Sequence, residues 1–160
     1  MSTDTKSIDL RDRYTDYFYK NLEYLKDGLP AYINDKREEA IQTFQKKGIP
    51  HHKIEAYKYT DLNPAFEKQY TTYIQPKKID FNLDDIFSCD VPELDTHVVL
   101  LLNGWFYENK TPRKQLPNGV IISSFREAAK KYPDIIEKHY NQYADSQNES
   151  LTALNTAFAQ

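Results

Sequence analysis

Gly48-Ile49-Pro50-His51-His52-Lys53-Ile54-Glu55-Ala56-Tyr57-Lys58-Tyr59-Thr60-Asp61-Leu62 separates a helical region from a stretch of different periodicity. Upstream of it, Ala31 to Lys47 puts Ile33, Arg37, Ala40, Ile41 and Phe44 on one helical stripe. Lys46 and Lys47 suit the negative end of that helix, Gly48 supplies a left-handed cap and Pro50 blocks continuation. Downstream, Asn63-Pro64 reads as a cap and first-turn proline opening a short helix to about Tyr70. Further back, Tyr14, Phe18, Leu22 and Leu25 fall at helical spacing between Ser7 and Asp27, and Gly28-Leu29-Pro30 stops that helix. The two long helices are expected to pack as a hairpin, each covering the other's stripe.

Residues 71–96, with Pro76, Pro92 and many aspartates, read as an irregular linker wrapping between two halves, with one helical turn at Leu83–Phe87. The period then changes. His97 to Leu102, Asn103-Gly104, and Trp105 to Glu108 predict a β-hairpin on a type I′ turn, and Val120 to Ser123 a third strand. Ser124 and Glu127 have capping-box spacing for a helix to about Lys131. Pro133 restarts it, and Ile135, Ile136, His139 and Tyr140 carry the apolar face onward. Leu151, Leu154 and Phe158 form a last stripe beginning near Ser150; Ala153 to Gln160 has no stop signal and reads as the interior of a longer protein. The fold class is α+β, with an N-terminal helical hairpin and short helices, a small antiparallel sheet and C-terminal helices. Its parts are 1–70, 71–96 and 97–160, together one compact unit.

A chain of 160 residues is long enough for one core. Charged residues reach 28%, but 14% aromatics argue for a folded chain in which rings fill the core. A net charge of −3 gives no general attraction to nucleic acid or anionic membrane. The lone Cys89 excludes an internal disulfide. The longest apolar run, Val98 to Leu102, is strand-sized, and the N-terminus has no apolar leader. The expected location is the cytoplasm.

Independent chemistry is not legible. His51, His52, His97, His139 and Cys89 lack the spacings of a metal site, and adjacent His51 and His52 point different ways from a surface loop. Cys89 lies in an acidic setting unsuited to a nucleophile, and Asp84-Asp85 and Glu38-Glu39 read as solvated faces. Trp105 reads as a hairpin-flanking core residue rather than a ligand platform. No catalytic, cofactor-binding or metal-ligating residue is assigned. Two alternatives stand beside that reading. One is a small enzyme built on His51, His52 and a distant carboxylate. The other is single-stranded nucleic-acid binding through Tyr57, Lys58 and Tyr59. A packing role is favoured for that run, with Tyr57 and Tyr59 anchoring the loop to the helical hairpin while Glu55 and Lys58 face solvent.

Gly48-Ile49-Pro50 followed by Glu55-Ala56-Tyr57-Lys58-Tyr59-Thr60 resembles the N-terminal signature of the SufB/SufD family, in which a tryptophan usually stands at the place of Tyr57. Leu101 to Phe106, Leu116 to Val120 with Ser123 to Ala128, and Ala153 to Phe158 resemble further family blocks in the same order, and their separation is closer to SufD. The resemblance implies the N-terminal region of a SufD-like, non-catalytic subunit, lacking the right-handed parallel β-helix that would follow. It implies work with SufB-like and SufC-like partners in the SufBCD scaffold for iron–sulfur cluster assembly. It also implies no cofactor within this region, since the cluster is handled by the full complex, and neither nucleic-acid nor membrane partners. An isolated fragment is expected to expose apolar surface around Leu154 and Phe158 and to self-associate through it.

Overall fold

A computed structural model describes residues 9–77, 99–107 and 119–160. The fold is α+β: among the described residues, seven α-helices and one two-stranded antiparallel sheet. The chain divides into two units, Met1–Tyr70 with Phe125–Gln160, and Thr71–Ser124.

The first unit holds α1 (Leu10–Lys20), α2 (Leu22–Lys26), α3 (Ala31–Lys47), α4 (Asn63–Glu67), α5 (Phe125–Lys131), α6 (Pro133–His139) and α7 (Ser150–Phe158). Asp9 caps α1 by accepting from the Arg11 backbone N–H at 2.9 Å. The single helix expected to Asp27 is broken at Asn21. Its side-chain Nδ2 donates to the Tyr17 carbonyl at 2.7 Å and its backbone adopts φ −114°, ψ 11°. A short amide side chain that bonds the preceding turn competes with helix propagation. The break turns Leu25 of α2 into the core.

Helix α3 runs over the predicted residues, and its buried side chains are Ile33, Arg37, Ala40, Ile41 and Phe44. Gly48 ends it with φ +68°, its N–H bonding the Phe44 carbonyl at 2.7 Å. A Cβ on Gly48 would meet nothing nearer than 3.9 Å, so conformation, not space, requires glycine there. The α1–α3 hairpin forms, but the more extensive face of α3 lies on α7.

Phe18, Leu25, Ile33, Ala40, Ile41 and Phe44 are buried, as are Ala153 and Ala157 of α7. Leu29, Ile33 and Ala129 form a cluster extended by Tyr32, Phe125, Ile136 and Tyr140, which ties α5 and α6 to the start of α3. Arg126 adds donors to the carbonyls of Asp27 and Tyr24 at the end of α2. Helix α4 stops at Glu67 rather than about Tyr70. Arg13 of α1 gathers the carbonyls of Phe66, Glu67 and Lys68, while the Phe66 ring packs edge-on against Tyr14 at 5.5 Å. A guanidinium satisfying those carbonyls supplies a C-terminal cap that the sequence spacing does not announce.

In the second unit β1 (Leu101–Leu102) pairs with β2 (Trp105–Phe106), Leu101 opposite Phe106 and Leu102 opposite Trp105. Asn103 and Gly104 have φ 52° and 85°, the two positive values that a type I′ turn demands. Trp105 is half-buried and its indole N–H donates to the Tyr73 carbonyl at 2.7 Å. Val120–Ser123, expected as a third strand, joins no ladder among the described residues. Val120, Ile121 and Ile122 are all exposed, so no alternation selects a buried face. The expected turn at Leu83–Phe87, Asp84-Asp85, Cys89, His97 and the outer ends of the hairpin lie outside the described residues.

Candidate functional site

The 48–62 segment leaves α3 at Gly48 and buries Pro50 completely. It then turns through successive hydrogen bonds, Ile54 N–H to the His51 carbonyl at 2.9 Å and Tyr57 N–H to the Ile54 carbonyl at 2.8 Å, closing a 3₁₀ turn at Glu55–Tyr57. That turn aims the Tyr57 hydroxyl at Glu149 Oε1, 2.7 Å away. Glu149 is the N-cap of α7, its carboxylate accepting from the backbone N–H groups of Leu151 at 3.1 Å and Thr152 at 2.6 Å. Beside it the Ser150 hydroxyl donates to the Gly48 carbonyl. Burial pushes the Glu149 carboxyl up, but the bonds from Tyr57 and the two N–H groups outweigh it and leave the group below its ordinary range. The Tyr57 phenol moves the other way, raised first by its bond to Glu149 and then by burial.

The other end of α7 is held from α3. Arg37 is fully buried, and its guanidinium donates to the carbonyls of Ala157 and of Ala159, the latter at 2.7 Å. A cation at the negative end of a helix meets both the free carbonyls and the dipole. Desolvation lowers Arg37 to about 10, and the nearby Arg126 adds to that, yet the group stays charged at neutral pH. Between its ends α7 buries Ser150, Ala153, Thr156 and Ala157, all small. Each alanine contributes about 0.8 kcal/mol, one methyl-sized group. A hydrogen bond to a charged partner contributes about 1.5–3 kcal/mol. Each end of α7 is therefore fixed by polar bonds in addition to its extensive packing on α3. Phe158 adds to them, stacking on Tyr17 at 5.9 Å and meeting Phe18 edge-on at 5.7 Å.

A family model described as SufBD protein N-terminal region matches residues 8–160. The chain belongs to the SufBD family. No curated protein and no solved structure gives a significant match. SufBD membership ties the chain to iron–sulfur cluster assembly and to a scaffold or assembly family.

In this SufBD region, Gly48 and Ile49 of the signature border a surface depression, and its two histidines lie elsewhere. His51 and His52 are both exposed, their rings 6.3 Å apart at 73°. His139 lies on α6, its ring stacked on Tyr143. Among the described residues no three His, Cys, Asp or Glu side chains come together as a metal-binding group. A depression lined by Asp9, Leu10, Arg11, Lys47, Gly48, Ile49 and Asn63 includes neither His51 nor His52. Tyr57 anchors the loop as expected, though to α7 rather than to the α1–α3 hairpin. Tyr59 does not anchor it: its ring is 92% exposed, with the Lys58 ammonium 5.5 Å over it. Glu55 and Lys58 are both exposed. Leu154 and Phe158 are half-buried, Phe158 against α1. No described helix is long and apolar enough to cross a membrane.

Glu149, and the partners of Arg37, escaped sequence reasoning at this SufBD site. Glu149 stands directly before Ser150 and the apolar run of α7, an acidic residue at a helix start, which is a usable signal. Arg37 was legible as part of the inward stripe of α3, but its partners are 120 and 122 residues away. No local pattern announces them.

Proposed function

We propose that this chain is the N-terminal domain of a SufD-like subunit of the SufBCD scaffold for iron–sulfur cluster assembly, with a non-catalytic, accessory role in the cytoplasm. The partners of the full-length protein are SufB-like and SufC-like subunits, and the cluster is cargo of the whole complex. The observation that carries this reading is the engagement of the signature segment: Gly48 and Tyr57 hold Ser150 and Glu149 at the head of α7. Signature side chains engaged in fixing a helix suit an architectural part, and the separated motif blocks favour the SufD branch. Anaerobic affinity purification of the full-length gene product, followed by mass spectrometry, tests it. Recovery of SufB-like and SufC-like subunits is expected; a protein purified without either would overturn the assignment.

A further inference from the structure

We propose that Arg37, Arg126, Tyr32 and Tyr140 form an internal binding site for a small anion of halide size, bordered by α3, α5 and α6. Tyr32 and Tyr140 both pack on the cluster of Leu29, Ile33 and Ala129. Arg37 lies one turn beyond Ile33 on the buried stripe of α3, and Arg126 one turn before Ala129 on α5. The four side chains thus border the same piece of core.

Each guanidinium has spent its outer N–H groups on carbonyls, Arg37 on Ala157 and Ala159, Arg126 on Asp27 and Tyr24. Their Nε atoms are buried and meet no hydrogen-bond partner among the described residues, and the same holds for the Tyr32 and Tyr140 hydroxyls. Tyr140 is fixed in place by its ring against Phe125, 5.2 Å between centroids. Buried polar groups in native proteins are nearly always paired, so four such donors around one cluster point to a ligand.

Charge identifies its class. Arg37 is fully buried, and among the described residues neither guanidinium forms an ion pair with a carboxylate. Glu137 acts on the Tyr32 phenol but is itself exposed. Desolvation lowers Arg37 to about 10, Tyr140 opposes that shift and Arg126 adds to it, so Arg37 keeps its charge at neutral pH close to both. A buried cation without a counter-ion is costly. Water would accept these hydrogen bonds and leave the charge uncompensated, whereas an anion does both. Arginine Nε–H can only donate, and a phenol O–H can donate to the same ion. Full burial of Arg37 favours an ion of one atom over a bulky oxyanion. Asn34 Oδ1 and Gln160 Oε1 are also buried without a partner, but they are acceptors and are not assigned to the site.

Thermal unfolding of the full chain in sodium chloride and in sodium gluconate, at equal ionic strength, tests the proposal. Chloride is the probe, and gluconate is too large for the site. The double variant Tyr32→Phe, Tyr140→Phe removes both hydroxyls and keeps both rings. The quantity read is the wild-type midpoint minus the variant's, in which general salt effects cancel. In gluconate it is expected to be zero or negative, because the variant has lost two unpaired hydroxyls. In chloride it is expected to rise by about 6 °C at ten times the dissociation constant. A difference that is the same in both salts overturns the proposal. If that constant value is zero or negative, chloride is an adventitious ion only; if positive, the hydroxyls are paired with water. Wild-type crystals grown in bromide give a reading that needs no variant. An anomalous peak within hydrogen-bond reach of Arg37 Nε and the Tyr140 hydroxyl is expected, and peaks confined to the surface overturn the site.

Discussion

Replacing Arg37 with methionine tests how α7 is held. The substitution keeps a long, unbranched side chain in the stripe of α3 and removes both N–H donors. The carbonyls of Ala157 and Ala159 then lose their partner, at about 1–3 kcal/mol for each buried acceptor left unpaired. An opposing effect reduces that sum. Burial already holds the guanidinium down to about 10, so removing the cation relieves a desolvation cost, as when apolar residues replace buried ions. The net loss works out near the lower end, about 2–3 kcal/mol, or about 8–12 °C in Tm at roughly 4 °C per kcal/mol for a unit of this size. Urea unfolding followed by far-UV circular dichroism measures it, with the m-value checking that the denatured state is unchanged. Arg37→Met within about 0.5 kcal/mol of the wild type would refute the reasoning, because α7 would then be held by its face alone.

Tyr57→Phe is expected to cost about 1.5 kcal/mol in the same assay, whereas Tyr57→Trp, which keeps an N–H donor for Glu149, is expected to lose less. Glu149 has a folded-state pKa below its unfolded value, so its contribution is complete above the unfolded value near 4.5 and is lost as pH falls through the folded one. Tyr57→Phe should flatten that acid limb in a stability-versus-pH series, and an unchanged limb would count against the Tyr57–Glu149 bond. Gly48→Ala places a Cβ at φ +68°, ψ −164°, a region essentially reserved for glycine, and is expected to cost about 1–3 kcal/mol, measured as a fall in thermal midpoint. His51→Ala and His52→Ala are expected to stay within about 0.5 kcal/mol of the wild type; calorimetric titration with zinc should give the same trace with and without them.

Much of the helical layout was written locally. Ala31 to Lys47 carries its stripe, its basic last turn and its glycine stop in consecutive residues, and each of the five stripe positions is buried. Asn103-Gly104 likewise dictates its turn by conformation alone. The misreadings share a cause. At Asn21 a side chain bonded to the Tyr17 carbonyl overrode a continuous apolar period, and at α4 the remote Arg13 decided where the helix stops. Val120 to Ile122 is rich in β-branched residues, yet a ladder needs a neighbour, which composition does not supply. The site followed the same division. Tyr57 was legible as an anchor; its partner Glu149, 92 residues on, was not.

That separation of 92 residues has a consequence for biosynthesis. At about 5–20 residues per second, a ribosome that has just added Tyr57 needs roughly another 5–18 s to reach Glu149. Through that interval the N-terminal helices emerge with Phe18 and the Arg37 guanidinium still uncovered. Nascent chains of this family region thus offer chaperones, or neighbouring chains on the same message, a hydrophobic and cationic face whose lifetime is set by translation speed.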